Sequence, residues 1–224
     1  MCGRFTLAVP ADILMDLFEI QAQDVPSLAP RYNIAPTQGV AAVRCAEGVR
    51  RLDILHWGLI PSWSQDPSIG ARMINARAET VAEKPAFRSA FRRRRCLIPA
   101  DGFYEWRKLP ERRQPYLFRL PDGSLMGLAG LWEHWESPDG SAVESCTILT
   151  TEANEVVRPI HARMPVILRP ESFEAWLDPE VQSRDVLEPL LRQGGDLPLQ
   201  HYAVSTYVNS PRHDDPRCVE PVEL

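Results

Sequence analysis

The apolar positions of this chain change period several times, and the changes outline its elements. Ile13, Leu14, Leu17 and Phe18 recur at helical spacing after Pro10 and Asp12, which predicts a helix over 11–20. The pattern then shifts to alternation: 39–44 and 50–57 read as paired strands, with Leu52, Ile54 and His56 on one face. GLIPSWSQDPSIGAR at 58–72 is rich in turn formers, and a short helix is expected around 78–84. Strand-like segments follow at 95–99, 102–107, 115–120, 124–132 and 144–150, with the PDG breaks at 121–123 and 138–140 as turns. Residues 152–158 suggest one or two helical turns, and MPVIL at 164–168 a buried strand. Helices are expected at 170–177 and at 184–193, the second interrupted by Pro189, and a last strand at 201–206.

Successive strands with helices at the two ends indicate an α+β domain with a mostly antiparallel sheet. Periodicity does not show whether that sheet closes into a barrel. The 224 residues suit a single domain, with a core over 2–209 and a C-terminal tail over 210–224. A chain of this length buries roughly 70% of its unfolded surface, enough for a core without disulfides or metals. Its 21 prolines, about twice the usual share, favour short elements joined by turns.

Charge and cysteine usage narrow the picture. The net charge of -5 excludes a whole-chain basic footprint for nucleic acid, but RSAFRRRR at 88–95 holds five arginines. That run reads either as a phosphate-tracking stripe or as a solvated face. The five cysteines, Cys2, Cys45, Cys96, Cys146 and Cys218, form no CxxC, which argues against a zinc ribbon or redox motif. No cationic segment leads into an apolar stretch at the N-terminus, and no apolar run approaches the ~18–20 residues that span a bilayer. The expectation is a soluble, cytoplasmic monomer in a reducing compartment, without membrane, metal or organic cofactor.

The candidate chemistry begins at Met1-Cys2-Gly3-Arg4. Initiator methionine is commonly removed before a small residue, which would leave an α-amine and a thiol on Cys2. An α-amine has a pKa of about 7.7–8.0 against about 10.4 for lysine, so far more of it is neutral near pH 7. Such an amine adds to an aldehyde as an imine, and the thiol closes a five-membered thiazolidine intramolecularly. This chemistry requires both groups of Cys2 to be exposed. Taken alone, Cys2 reads more readily as an ordinary, frayed or buried chain end.

Further candidates are Asn75 and Arg77 in MINARAET, Glu105 in DGFYEW and His161 in PIHARMPVIL. An Asn amide donates and accepts, and a guanidinium suits phosphate. Phe103 and Glu105 share one strand face, Tyr104 and Trp106 the other, so Glu105 is a carboxylate among aromatics and a candidate for a raised pKa. Imidazole exchanges a proton near neutrality, and Trp63 in the PSW turn can stack on a base. Each also has a structural reading: a helix cap, an edge-strand carboxylate, a structural histidine, a loop tryptophan packed on the core. His56 and His134 read as structural.

The ordered segments MCGRF, RYNIAPTQ (31–38), WGLIPSW (57–63), INARAET (74–80), CLIPADGFYEW (96–106) and IHARMPVIL (160–168) together resemble the SRAP family, from residue 2 to VSTYVN at 204–209. The resemblance implies a barrel-like β core with flanking helices and a positively charged groove for single-stranded DNA. It implies that Cys2 forms a thiazolidine with the ring-opened sugar of an abasic site, shielding the lesion. Asn75 would position the terminal residue and sugar, Glu105 would assist ring opening and imine formation, and His161 would move protons. Arg4 and Arg77 would hold flanking phosphates, Trp63 would lie near displaced bases, and Asn33 and Pro36 would belong to a loop near the site. The family is associated with autoproteolytic removal of Met1, hence peptidase character, and an imine that fails to close would register as lyase activity. Two other readings stay open: a thiol peptidase acting in trans through Cys2 and His161, and a non-covalent single-strand binding module. The acidic tail 211–224 has no clear role in the abasic-site reading.

Overall fold

The computed structural model describes residues 2–21 and 26–224. In chain order the elements are β1 (Phe5–Leu7), α1 (Ala11–Phe18), β2 (Arg31–Ile34), β3 (Gly39–Ala46), β4 (Val49–Trp57), β5 (Asn75–Arg77), α2 (Arg88–Arg93), β6 (Arg95–Ala100), β7 (Gly102–Lys108) and β8 (Arg113–Arg119). There follow β9 (Met126–Glu136), β10 (Ala142–Glu152), β11 (Arg163–Pro165), β12 (Ile167–Leu168), α3 (Phe173–Leu177), α4 (Arg184–Leu190) and β13 (Gln200–Ala203). The α+β class and the antiparallel bias agree with the sequence pattern.

Closure, which the pattern left open, is decided by β10. It pairs antiparallel with β9 and parallel with β4. Since β4 pairs with β3, β3 with β6 and β6 with β9, all antiparallel, the five strands form a closed mixed barrel. Closure removes exposed strand edges. The barrel wall is tight at Gly130, where a Cβ would meet Cys96 Sγ at 2.8 Å and the Thr147 carbonyl oxygen at 3.1 Å. Short β5 and β11 attach to β10, and β12 attaches to β9.

A second sheet, ordered β13-β8-β7-β1-β2 and antiparallel throughout, lies against the barrel. Phe5 of β1 meets Trp57 of the barrel edge-on at 5.2 Å, and Phe103 stacks on Phe118 at 5.1 Å. Such pairs add about 0.5–1.5 kcal/mol beyond the area they bury. Tyr104 faces the other way, into a smaller cluster with Leu117, Val204, Val208 and Cys218, so the expected split of Phe103 and Glu105 from Tyr104 and Trp106 holds.

Several local expectations are corrected. The segment around 78–84 and residues 152–158 form hydrogen-bonded turns rather than helix. The helix in that region is α2, within the arginine run. Leu52 and Ile54, placed on one face by the alternation, part company: Leu52 is buried with Leu55 and Trp57, whereas Ile54 is 51% exposed. The last strand ends at Ala203 and gives way to a 3-10 turn at Thr206–Asn209.

The arginine run is not one stripe. Arg88, Arg92 and Arg93 are exposed, and Arg94 pairs with Glu133 at 2.6 Å. Arg95 is only 2% exposed and donates to the carbonyls of Phe91, Arg92, Trp176, Asp178 and Val181. It is an internal strut that caps carbonyls at the ends of α2 and α3, so it is unavailable to phosphate. The tail also has a place in the fold: Cys218 is buried, and Val204 bridges to Pro221.

Candidate active site

Strand β1 brings the amino-terminal residues to β7. Phe5 lies opposite Phe103, and the Tyr104 amide donates to the Arg4 carbonyl at 3.0 Å, so residues 2–4 run beside 104–106. Glu105 is buried at 3% exposure, on the inward face it shares with Phe103. Burial lifts its carboxyl above the ordinary carboxylate range, against the pull of the neighbouring His161. His161 Nδ1 lies 3.7 Å from Glu105 Oε1. The imidazole stands in the turn before β11, with Nδ1 3.1 Å from the Arg163 amide and 2.9 Å from the Arg163 carbonyl oxygen, which fix the ring's direction.

Cys2 is 0% exposed in the chain that carries Met1. Burial, with Glu105 adding to it, pushes the thiol pKa well above its ordinary value, while the Arg4 amide pulls the other way. The expected exposed thiol is therefore not found in this form of the chain. Residues 2–4 lead into β1, and Cys2 packs with the buried core residues, near enough to Glu105 for its carboxylate to act on the thiol.

Asn75 opens β5, which pairs with β10 through Ile148 opposite Asn75. Its Nδ2 donates to the Ile74 carbonyl at 3.0 Å, while its buried Oδ1 has no hydrogen-bond donor among the described residues. Strand β10 also carries β11, two residues after His161, so one strand supports both side chains. Arg77, at the end of β5, is exposed. Trp63 is 61% exposed. Its loop is tied down by the Trp135 indole donating to the Ser64 carbonyl at 2.6 Å and the Ile60 amide donating to Ser145 at 2.8 Å. At the loop's two ends Gly58, with φ +140°, and Gly70 touch backbone to backbone. A Cβ on either would come within 2.7 Å of the other's carbonyl oxygen. Pro36 is partly exposed in the turn after β2, beside Thr37 with its left-handed φ of 70°.

Arg4 is engaged by protein. Its Nη1 donates to Asn33 Oδ1 and to the Val208 carbonyl, each at 2.7 Å, and its Nη2 to the Asn209 carbonyl at 3.1 Å. The guanidinium also lies 6.0 Å from the centre of the Trp106 ring. The structure thus brings together Cys2, Glu105 and His161 as one group and Arg4 with Asn33 as another. Asn75 and Arg77 hang on β10, and Trp63 and Pro36 sit on loops of their own.

The sequence reading missed Arg163, which forks onto Glu79 at 2.7 and 2.9 Å and holds the His161 turn to β10 through the Thr150 carbonyl. Its place inside IHARMPVIL was the available signal. It also missed that Val208 and Asn209, the end of the VSTYVN segment, are the partners of Arg4. Among the described residues no three of His, Cys, Asp or Glu gather as a metal site. No helix among them is long and apolar enough to cross a membrane.

The family described as SRAP, SOS response associated peptidase, matches residues 1–211. The chain belongs to the SRAP family. This SRAP chain is 44% identical over 223 residues to the abasic site processing protein YoqW of Bacillus subtilis, covering 98% of this chain and 99% of the relative. It is 45% identical to the abasic site processing protein YoaM of the same organism, covering 96% and 95%. A crystal structure of a Bacteroides thetaiotaomicron protein superposes with a TM-score of 0.86 at 26% identity, covering 99% of this chain and 100% of that one. The barrel and its companion sheet are thus the SRAP fold.

Proposed function

We propose that this protein processes abasic sites in single-stranded DNA by capturing their aldehyde on Cys2 once Met1 has been removed. The observation that carries the reading is the grouping of Cys2, Glu105 and His161, a buried acid and an imidazole beside the first residues of the chain. The names of the SRAP relatives YoqW and YoaM support the substrate.

In this reading the Met1-bearing chain is latent. Hydrolysis of the Met1–Cys2 peptide bond, the peptidase step that the family description implies, frees the α-amine and brings the thiol within reach of the strand. Single-stranded DNA docks with phosphates on Arg77 and on the donors that Arg4 has left. Glu105, whose carboxyl burial makes easier to protonate, gives a proton to the ring oxygen as the sugar opens. The amine adds at C1′ and loses water to give the imine. The thiol then adds to the same carbon, and its proton passes to nitrogen, closing the thiazolidine. His161 relays protons to and from Glu105. Asn75 Oδ1, lacking a donor of its own, accepts from the terminal amine or a sugar hydroxyl. An imine that does not close allows β-elimination, a lyase outcome.

The test is intact-protein mass spectrometry after mixing with an abasic oligonucleotide. The expected product has the mass of protein plus oligonucleotide less one water and survives denaturation. Cys2→Ala and a chain with uncleavable Met1 should both give none. A denaturation-stable adduct from Cys2→Ala would overturn the assignment, and salt-sensitive binding with no adduct would favour a non-covalent single-strand binding module.

A further inference from the structure

We infer that Asp214 is a positioning residue for the amino-terminal nucleophile, acting through Asn33 and Arg4. The inference deepens the proposed function and rests on Cys2 being the nucleophile. It starts from the tail, beyond the stretch matched by the family, which ends at residue 211. Asp214 Oδ1 accepts from the amides of Tyr32 at 2.5 Å and Asn33 at 2.8 Å, and its Oδ2 accepts from Arg31 Nε. One carboxylate therefore fixes three donors on β2. Arg31 continues the tie, donating at 2.7 Å to Gln38, whose oxygen also takes the Ala35 amide.

The next link is the Asn33 side chain, which is fully buried. Its Nδ2 points at the carbonyls of Val208, Ser210 and His213, and its Oδ1 takes Arg4 Nη1. Arg4 then closes the circuit on Val208 and Asn209, and the Trp106 indole donates to Asn209 Oδ1 at 2.8 Å. Arg4 is two residues from Cys2, and Trp106 is the neighbour of Glu105. The same carbonyl-rich turn thus holds the strand bearing the nucleophile and the strand bearing the acid.

The turn is stiff in its own right. Tyr207 stacks on His213 at 3.7 Å between ring centres and takes the Arg217 guanidinium on its ring, while Asp215 accepts from Tyr207 and Arg217. Hydrogen bonds to a charged group are stronger than those between neutral partners. Removing the Asp214 carboxylate releases three donors at once, and the part of the molecule that loosens is the amino-terminal strand rather than the closed barrel.

The experiment uses the full chain with Met1 removed, as wild type, Asp214→Ala and Asp214→Asn. Asparagine keeps an oxygen for the two amides and gives up the ion pair, so it should fall between the other two. Amide exchange read by peptide should quicken about tenfold or more over residues 2–8 and 31–34 in Asp214→Ala, with β9 and β10 unchanged. The rate of adduct formation at saturating abasic strand should fall about tenfold, while the half-saturating strand concentration moves less than about twofold. Unchanged exchange over 2–8 would overturn the inference, as would loosening of β9 and β10 to the same extent. A wild type that forms no adduct would sink the proposed function instead, and the exchange measurement would still decide the role of Asp214.

Discussion

His161 Nδ1 stands 3.7 Å from Oε1 of Glu105, and the two side chains reach each other from opposite sheets' sides of the molecule. Glu105 comes from β7 of the five-stranded sheet, His161 from the turn leading into β11 on the barrel side. The contact therefore joins the two sides close to Cys2.

Burial raises the Glu105 pKa, which gives a sign to the pH dependence of stability. The folded state holds the carboxyl proton more tightly than the unfolded chain. The stabilisation is complete below the unfolded carboxylate pKa and is lost as pH rises through the higher folded value. Glu105→Gln should therefore raise the melting temperature at about pH 8 and change it little at about pH 4. For a chain of this size each kcal/mol is worth about 2–4 °C. The same variant should slow adduct formation by about 10²–10⁴-fold, the usual worth of a general acid or base. Equal melting curves at the higher pH would show that the carboxylate is no burden to the fold.

Thiol accessibility offers a second check. All five cysteines are free, and only Cys45 is partly exposed in the chain that carries Met1. Native-state alkylation of that form should label one site quickly, with peptide mapping placing it at Cys45. Removing Met1 should add Cys2 as a second fast site. Rapid labelling of Cys2 while Met1 is attached would contradict its burial.

Asn75→Ala should separate chemistry from stability. Its Oδ1 has no donor to lose, and Nδ2 makes one good bond, to its neighbour's carbonyl, and a longer one to Ile148. The melting temperature should stay within about 3 °C of wild type, since one hydrogen bond is worth about 1 kcal/mol. Adduct formation should slow clearly. A wild-type rate would remove Asn75 from the site.

Arginines close in sequence should behave differently. Arg77→Ala removes an exposed cation and should lower the salt slope of single-strand binding by about one. Arg95→Met should leave that slope alone but lower the melting temperature by about 5 °C or more, because five carbonyls lose their donor. A changed slope in Arg95→Met would place that residue on the DNA after all.

The strands from 95 to 150 were legible because each alternates or is bounded by a proline, glycine or asparagine-like break, signals that act over a few residues. Closure of the barrel was not, because the parallel contact of β10 with β4 joins Ser145 to His56 across the chain and leaves no local trace. The site divides in the same way. Cys2, Glu105 and His161 sit in recognisable motifs, whereas the ties on Arg4 come from residues about two hundred positions away. Arg95 misled for a related reason: charge in a sequence reads as surface, and only the carbonyl ends of α2 and α3 explain an arginine inside.

The mutual backbone contact of Gly58 and Gly70 bears on how Trp63 can work. A flexible strap that stacks on a base must give up its freedom at the moment of contact, at roughly 1–2 kcal/mol for each residue that becomes fixed. Here the strap is cinched at its base by two residues without side chains, tied to Ser145 through Ile60 close to that base, and fastened beside the tryptophan by Trp135 on Ser64. The backbone that carries the exposed indole is fixed in advance, so on the proposal that Trp63 stacks on a base, an alanine at either glycine would weaken that stacking without touching the tryptophan.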